Sequence, residues 1–217
     1  TAWLRTDLPD AIPQPWERHC LHWPLAFPEV FLEQGRTGFD ALVANPPFLG
    51  GQRISAAAGE SYRAHLQRNI GRSAKGSADL CAFMLLRMVQ LGRSIGTLAT
   101  NTISEGDTRE IGLEQVLRDG IAIYRAVKST PWPNDATVEI AKLWITKNAW
   151  NSLKILQSQS EILLCEGIDA SLTSASTIPD PVPLAANSGR AYQGVIVLGM
   201  GFTLSHDEAA AIIAEDG

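Results

Sequence analysis

Several features that would classify a chain at once are scarce in these 217 residues. Cysteine is one: Cys20, Cys81 and Cys165 are an odd number with no C-x-x-C spacing, which argues against a disulfide framework and predicts reduced thiols. Long apolar runs are another. No stretch is long enough to span a bilayer, and the opening TAWLRTDLPD has neither a basic region nor an apolar one, so the expected location is the cytoplasm. Positive charge is also short, with 18 Lys plus Arg against 23 Asp plus Glu and a net charge of −5. That excludes an electropositive body of the kind that grips phosphate backbones, and any contact with nucleic acid must be local. The densest basic stretch is Tyr62 to Lys75, with Arg63, His65, Arg68, Arg72 and Lys75, whose plainest reading is a solvated loop or helix face. No internal repeat is present. The chain starts on Thr rather than Met and stops in the helix-like EAAAIIAEDG, and is expected to be a piece of a longer polypeptide.

What is present reads as a folded α/β chain, with 45% apolar residues. Residues 1 to 38 are broken by prolines and rich in aromatics, Trp16, Trp23, Phe27 and Phe31 among them, and should pack onto something. Phe39 to Ala44 is a short apolar run of the kind found in parallel strands buried on both faces. Apolar positions 80, 83, 84, 85, 88 and 91 predict an amphipathic helix over Ser77 to Leu91, closed by Gly92. A strand over Ile95 to Thr100, a helix over Thr108 to Arg118, and strands over Ile121 to Val127 and Val138 to Ile145 follow. The order strand, helix, strand, helix, strand, strand predicts an α/β sheet with an antiparallel finish. Residues 171–188 turn to Ser, Thr, Pro and Ala and read as a linker.

The stretch Phe39-Asp-Ala-Leu-Val-Ala-Asn-Pro-Pro-Phe48 runs that first strand directly into an amide and two prolines. A residue preceding proline is driven to extended geometry, so the strand carries Asn45 to the carboxyl edge of the sheet, where open α/β sheets bind ligands. Pro46 and Pro47 lack N–H groups, which leaves a rigid corner rich in acceptors. Asn45 adds a neutral carbonyl and Phe48 a flat ring. The corner suits a planar group bearing an NH2, two acceptors taking its hydrogens while the ring stacks on its face. An Asn-Pro-Pro turn after a strand can also be only a turn, but a chance match of this tetrapeptide type is on the order of one in a thousand for such a length.

Asn45-Pro46-Pro47-Phe48 resembles the catalytic motif of the amino-methyltransferases that use S-adenosylmethionine. With His22-Trp-Pro-Leu-Ala-Phe-Pro-Glu-Val-Phe31, Gly38-Phe-Asp40 and NPPFLGG, the chain resembles adenine-specific DNA methyltransferases of restriction-modification and phage-defence systems, the MmeI-like group in particular. Lys75-Gly-Ser-Ala-Asp-Leu80, Gly96-Thr-Leu-Ala-Thr-Asn101 and Pro131-Trp-Pro-Asn-Asp135 match the later motifs in order, so that the likeness covers roughly residues 19 to 147. The resemblance implies a partial Rossmann-like class I methyltransferase sheet with helices on both faces, lacking the N-terminal cofactor-loop half. It implies S-adenosylmethionine as cofactor, double-stranded DNA with a flipped adenine as partner, and Asn45, Pro46, Pro47 and Phe48 as the catalytic corner. Cytosine ring-carbon methyltransferases use a Pro-Cys nucleophile, and no cysteine here follows a proline.

Asp79 and Phe83 fall where the resemblance places residues shaping the cofactor's pocket, although a helix N-terminal Asp is also an ordinary cap and Phe83 an ordinary core residue. Asp135, beside Trp132, is a candidate contact to the target strand. His19-Cys-Leu-His22 has metal-ligand residue types but no second pair at structural-zinc spacing, so no metal is expected. Gly194 to Phe202 runs a strand-like segment into G-x-G-F, which fits either a cofactor loop or the join between catalysis and target recognition. The usual Gly-rich cofactor loop should lie upstream of His22, and nothing before residue 19 resembles it. The expected organisation is therefore the C-terminal part of a catalytic domain over 1–170, a linker over 171–188, and over 189–217 the start of a connection to a target-recognition domain. A chain of that extent is expected to be a poor enzyme alone. Methylation of protein glutamine or RNA, or a non-catalytic DNA-binding module, are the alternatives.

Overall fold

The computed structural model describes residues 21–33, 35, 37–74, 76–132 and 138–175. They belong to the first of two compact units, Thr1–Thr177 and Ile178–Gly217. Two single-turn helices, α1 (Trp23–Ala26) and α2 (Pro28–Phe31), each carry a proline in the first turn, where a missing N–H costs nothing. Their aromatic residues converge on Phe39, with Trp23, Phe27 and Phe31 ring centroids 5.7, 5.4 and 5.3 Å from its own. The aromatic approach therefore clamps the start of the first strand, β1 (Phe39–Ala44).

Helices α3 (Gly51–Ala58) and α4 (Glu60–His65) follow, then a π turn (Leu66–Ile70), α5 (Leu80–Leu91), β2 (Gly92–Thr100), a 3-10 turn (Asn101–Ser104), α6 (Gly106–Ile111), α7 (Leu113–Arg118), β3 (Ala122–Pro131), β4 (Glu139–Thr146), β5 (Lys154–Gln157) and β6 (Ile162–Cys165). The six strands form one sheet in the order β1-β2-β4-β3-β5-β6. β1 is parallel to β2, and β3 to β5, while β4 slots antiparallel between β2 and β3. The antiparallel finish expected from two strands with no helix between them is borne out. Its cause is the short β3–β4 connection, which cannot cross over to a parallel neighbour.

The core lies between one face of the sheet and α5, α6 and α7. Ile95 and Ala99 of β2, Ala141, Leu143 and Ile145 of β4, and Ile123 of β3 face it with Phe83, Leu85, Leu86 and Val116. The other face is covered unevenly. The α1–α2 aromatics sit by Phe39, and beyond them an apolar hollow of about 280 Å³ opens between Val43, Gly96, Tyr124 and Trp144, with no helix over it among the described residues.

Three sequence expectations are amended. β1 is parallel as expected, but it is an edge strand rather than one buried on both faces, and Val43 is 89% exposed. An unbroken apolar run looks the same at an edge as at the centre when the neighbour lies elsewhere in sequence. The helix expected over Thr108 to Arg118 is two short helices, because Gly112 takes φ −88°, ψ −90° between them. The β5–β6 hairpin has no counterpart among the expected elements, although Ser158-Gln-Ser160 between two apolar runs is a turn signal.

Candidate active site

The three mutually parallel strands β1, β2 and β3 all end on one edge, and β4 begins there. The register fixes this: Ala44 pairs with Thr97, Thr100 with Ile140, and Pro131 with Glu139. Asn45, Asn101, Trp132 and Val138, each just past or before a strand end, are thus gathered from four parts of the sequence.

At this edge Asn45, Pro46, Pro47, Phe48, Trp132 and Val138 line an open cavity of about 320 Å³. Asn45 is exposed, and its side-chain amide makes no hydrogen bond among the described residues. Pro46 is buried, which anchors the corner beneath it, and Pro47 is exposed. Phe48 is half-buried and meets Trp132 edge-on, with centroids 6.2 Å apart and planes at 87°. The Trp132 amide donates to the Val138 carbonyl at 2.9 Å, and this bond closes the β3–β4 turn and brings the indole to the corner. The edge-on contact holds the Phe48 ring against the indole.

Behind the corner, Asp79 ties the loop to the helix. It is the N-cap of α5, and its Oδ1 accepts from the Cys81 amide at 2.9 Å and from the Leu49 amide at 3.3 Å. The Leu80 amide donates to the Leu49 carbonyl at 2.9 Å, and the Asp79 amide to Thr108 Oγ1 at 3.1 Å. One carboxylate thereby satisfies a helix-end amide and the chain just after Phe48. Its charge, together with burial, has a second effect: burial first and then Asp79 push the Cys81 thiol up to about 12.

The sequence-predicted residues therefore fall into separate groups. Asn45, Pro46, Pro47 and Phe48 come together with Trp132, which the sequence suggests only as the neighbour of Asp135. Asp79 sits behind the corner with its carboxylate engaged by two amides, and Phe83 is 2% exposed within the core. Asp135, His19, Cys20 and Gly194 to Phe202 lie outside the described residues. Asn101 enters the sequence reading only as the end of a motif, yet its Oδ1 is buried at the same edge without a hydrogen-bond partner among the described residues. Only the antiparallel return of β4 reveals that Trp132 and Val138 belong to the site.

Residues 13–108 match the model of the Eco57I restriction-modification methylase family. Among solved structures, the Type IIL restriction-modification enzyme MmeI in complex with DNA matches with a TM-score of 0.52 and 18% identity, over 64% of this chain and 20% of that one. At this identity the likeness shows the shared fold, and the chain spans about a fifth of the MmeI chain it matches. No curated protein matches the chain. Residues 13–108 are thus similar to the Eco57I restriction-modification methylases, and the sheet shares its fold with MmeI.

Proposed function

We propose that the chain supplies the amine-binding half of an active site that methylates the exocyclic N6 amino group of an adenine flipped out of DNA, in a restriction-modification or phage-defence system. The observation that carries this reading is the corner itself: a free Asn45 amide, a proline-fixed carbonyl beside it, and the Phe48 ring held by Trp132 in one cavity. An aromatic amine is a poor nucleophile because its lone pair is delocalised into the ring. When its NH2 donates one hydrogen bond to Asn45 Oδ1 and another to the Pro46 carbonyl, the nitrogen is drawn toward tetrahedral geometry and the pair localises on the atom that takes the methyl group. Positioning and fixed dipoles supply the rate, and no covalent intermediate is needed. The base reaches the corner only by leaving the duplex, and Phe48 gives it a stacking face in place of its former neighbours.

The methyl donor in this reading is S-adenosylmethionine, with Asp79 and Phe83 as the candidate residues that shape its pocket. Residues 1–170 are then the C-terminal part of a catalytic domain, 171–188 a linker, and 189–217 the start of a connection to a target-recognition domain; Asp135 is the candidate contact to the target strand. The chain by itself is then a weak enzyme. The test uses the full-length parent polypeptide with labelled S-adenosylmethionine and unmethylated DNA, the product being digested to nucleosides. Label should appear in N6-methyladenine and fall by about 100-fold or more in Asn45→Ala, the scale for removing one positioned hydrogen-bonding group. Label absent from DNA but present in protein or RNA would refute the substrate.

A further inference from the structure

The π turn over Leu66–Ile70 lies in the basic stretch, and the corner chemistry does not use it. It is closed by the Gly71 amide donating to the Leu66 carbonyl at 2.8 Å, an i to i+5 bond that makes the turn one residue wider than an α turn. In a regular α-helix, residues five apart point about 140° away from each other. The wider turn rotates Arg68 back toward the face that carries Arg63. Both arginines line an open hollow of about 490 Å³, together with Gln67, Ser73, Gly76, Ser77 and Asp107.

This hollow has the character of an anion site. Neither Arg63 nor Arg68 has an ion-pair partner among the described residues, whereas Arg72 is paired with Asp119 and Arg109 and Arg118 with Glu114. Ser77 Oγ is buried beneath the floor without a hydrogen-bond partner among the described residues. Asp107, the one carboxylate in the lining, is engaged by the Ser77 amide at 2.6 Å, which leaves two guanidiniums against one occupied carboxylate. The Gln67 amide donates to the Gly76 carbonyl at 3.0 Å and holds the turn against the floor of the hollow.

The floor is joined to the catalytic corner. Gly51, three residues beyond Phe48, packs so closely on Ser77 and Ala78 that a Cβ there would lie 2.6 Å from the Ala78 oxygen, and Leu49 is bonded to Asp79 and Leu80. We propose that the hollow lined by Arg63 and Arg68 holds a backbone phosphate of the DNA strand whose base occupies the Asn45–Phe48 corner. The inference rests on the DNA reading above and adds the group that positions the strand. Two guanidinium forks match the donors a phosphodiester accepts, and such an interaction sets register without reading sequence.

The test is binding of the full-length parent polypeptide to a fluorescent unmethylated duplex from about 50 mM salt upward, the range over which phosphate neutralisation dominates. In R63Q/R68Q the slope of log K against log salt should become shallower by about 0.9, the change expected when one phosphate is no longer neutralised, with affinity reduced alike on unrelated sequences. R63K/R68K should retain the wild-type slope, and Arg72→Gln, which removes an arginine already paired with Asp119, should leave it unchanged. An unaltered slope in R63Q/R68Q with the wild-type melting temperature overturns the phosphate site alone, since the wild-type chain would still bind DNA. Failure of the wild-type chain to bind DNA at any salt overturns both this inference and the DNA reading.

Discussion

Replacing Asp79 separates its role as a structural tie from any role toward a cofactor. In Asp79→Ala two amides lose their acceptor, the Cys81 amide at 2.9 Å and the Leu49 amide at 3.3 Å. Loss of an N-cap costs about 1 kcal/mol, and an unsatisfied partly buried amide about another 1 kcal/mol, the partial burial and longer Leu49 bond placing it at the low end. The sum of about 2 kcal/mol lowers the melting temperature by about 4–8 °C for a chain of this size. Asp79→Asn keeps an acceptor oxygen at the same place and loses only the favourable charge at the helix N-terminus, about 0.5 kcal/mol. Thermal unfolding followed by circular dichroism on the wild-type chain and both variants reads the difference directly. Because Leu49 follows Phe48, Asp79→Ala should also loosen the corner, seen as faster exchange of the Leu49 amide. Equal destabilisation by Asn and Ala, or none by Ala, would refute the capping account and return Asp79 to the candidates for binding a ligand.

Gly51→Ala should be far more damaging than a surface glycine change, because its Cβ would meet the backbone carbonyls of Ser77 and Ala78, which cannot yield as a flexible side chain could. Loss of more than about 3 kcal/mol or failure to fold is expected, whereas Gly35→Ala, with open space around it, makes a contrast through its positive φ alone. Cys81, held up to about 12, should stay an unreactive thiol in the native chain between about pH 7 and 9, and label with a thiol reagent only on unfolding. The sign follows from the raised value. The native state keeps a proton that the unfolded chain releases from about pH 9, so native stability declines as pH rises from about 9 toward 12, and Cys81→Ala should flatten that decline in pH-dependent melts.

The sequence by itself determined much of the local structure. The Phe39–Ala44 run became β1 with the bounds expected, since a proline pair after an apolar run leaves little freedom about where a strand ends. The apolar spacing from 80 to 91 became α5, and Asp79 took the cap its side chain suits. The corner of Asn45, Pro46, Pro47 and Phe48 was legible because its chemistry lies in four consecutive residues.

Only the tertiary structure decided what surrounds that corner. Trp132 and Val138 reach it because β4 runs back between β2 and β3, a pairing that depends on strands far apart in sequence. The same pairing left β1 at an edge, which its own composition could not show. Asp79 illustrates the division most directly. Its residue type and position announced a cap, but its second bond, to Leu49 thirty residues earlier, exists only because α5 packs behind the corner. Likewise a basic stretch in the sequence became two arginines, without an ion-pair partner among the described residues, lining one hollow beside the π turn. Periodicity encodes which face of an element is apolar, and consecutive residues encode a rigid corner; which distant side chains share a cavity is set by packing and strand order alone.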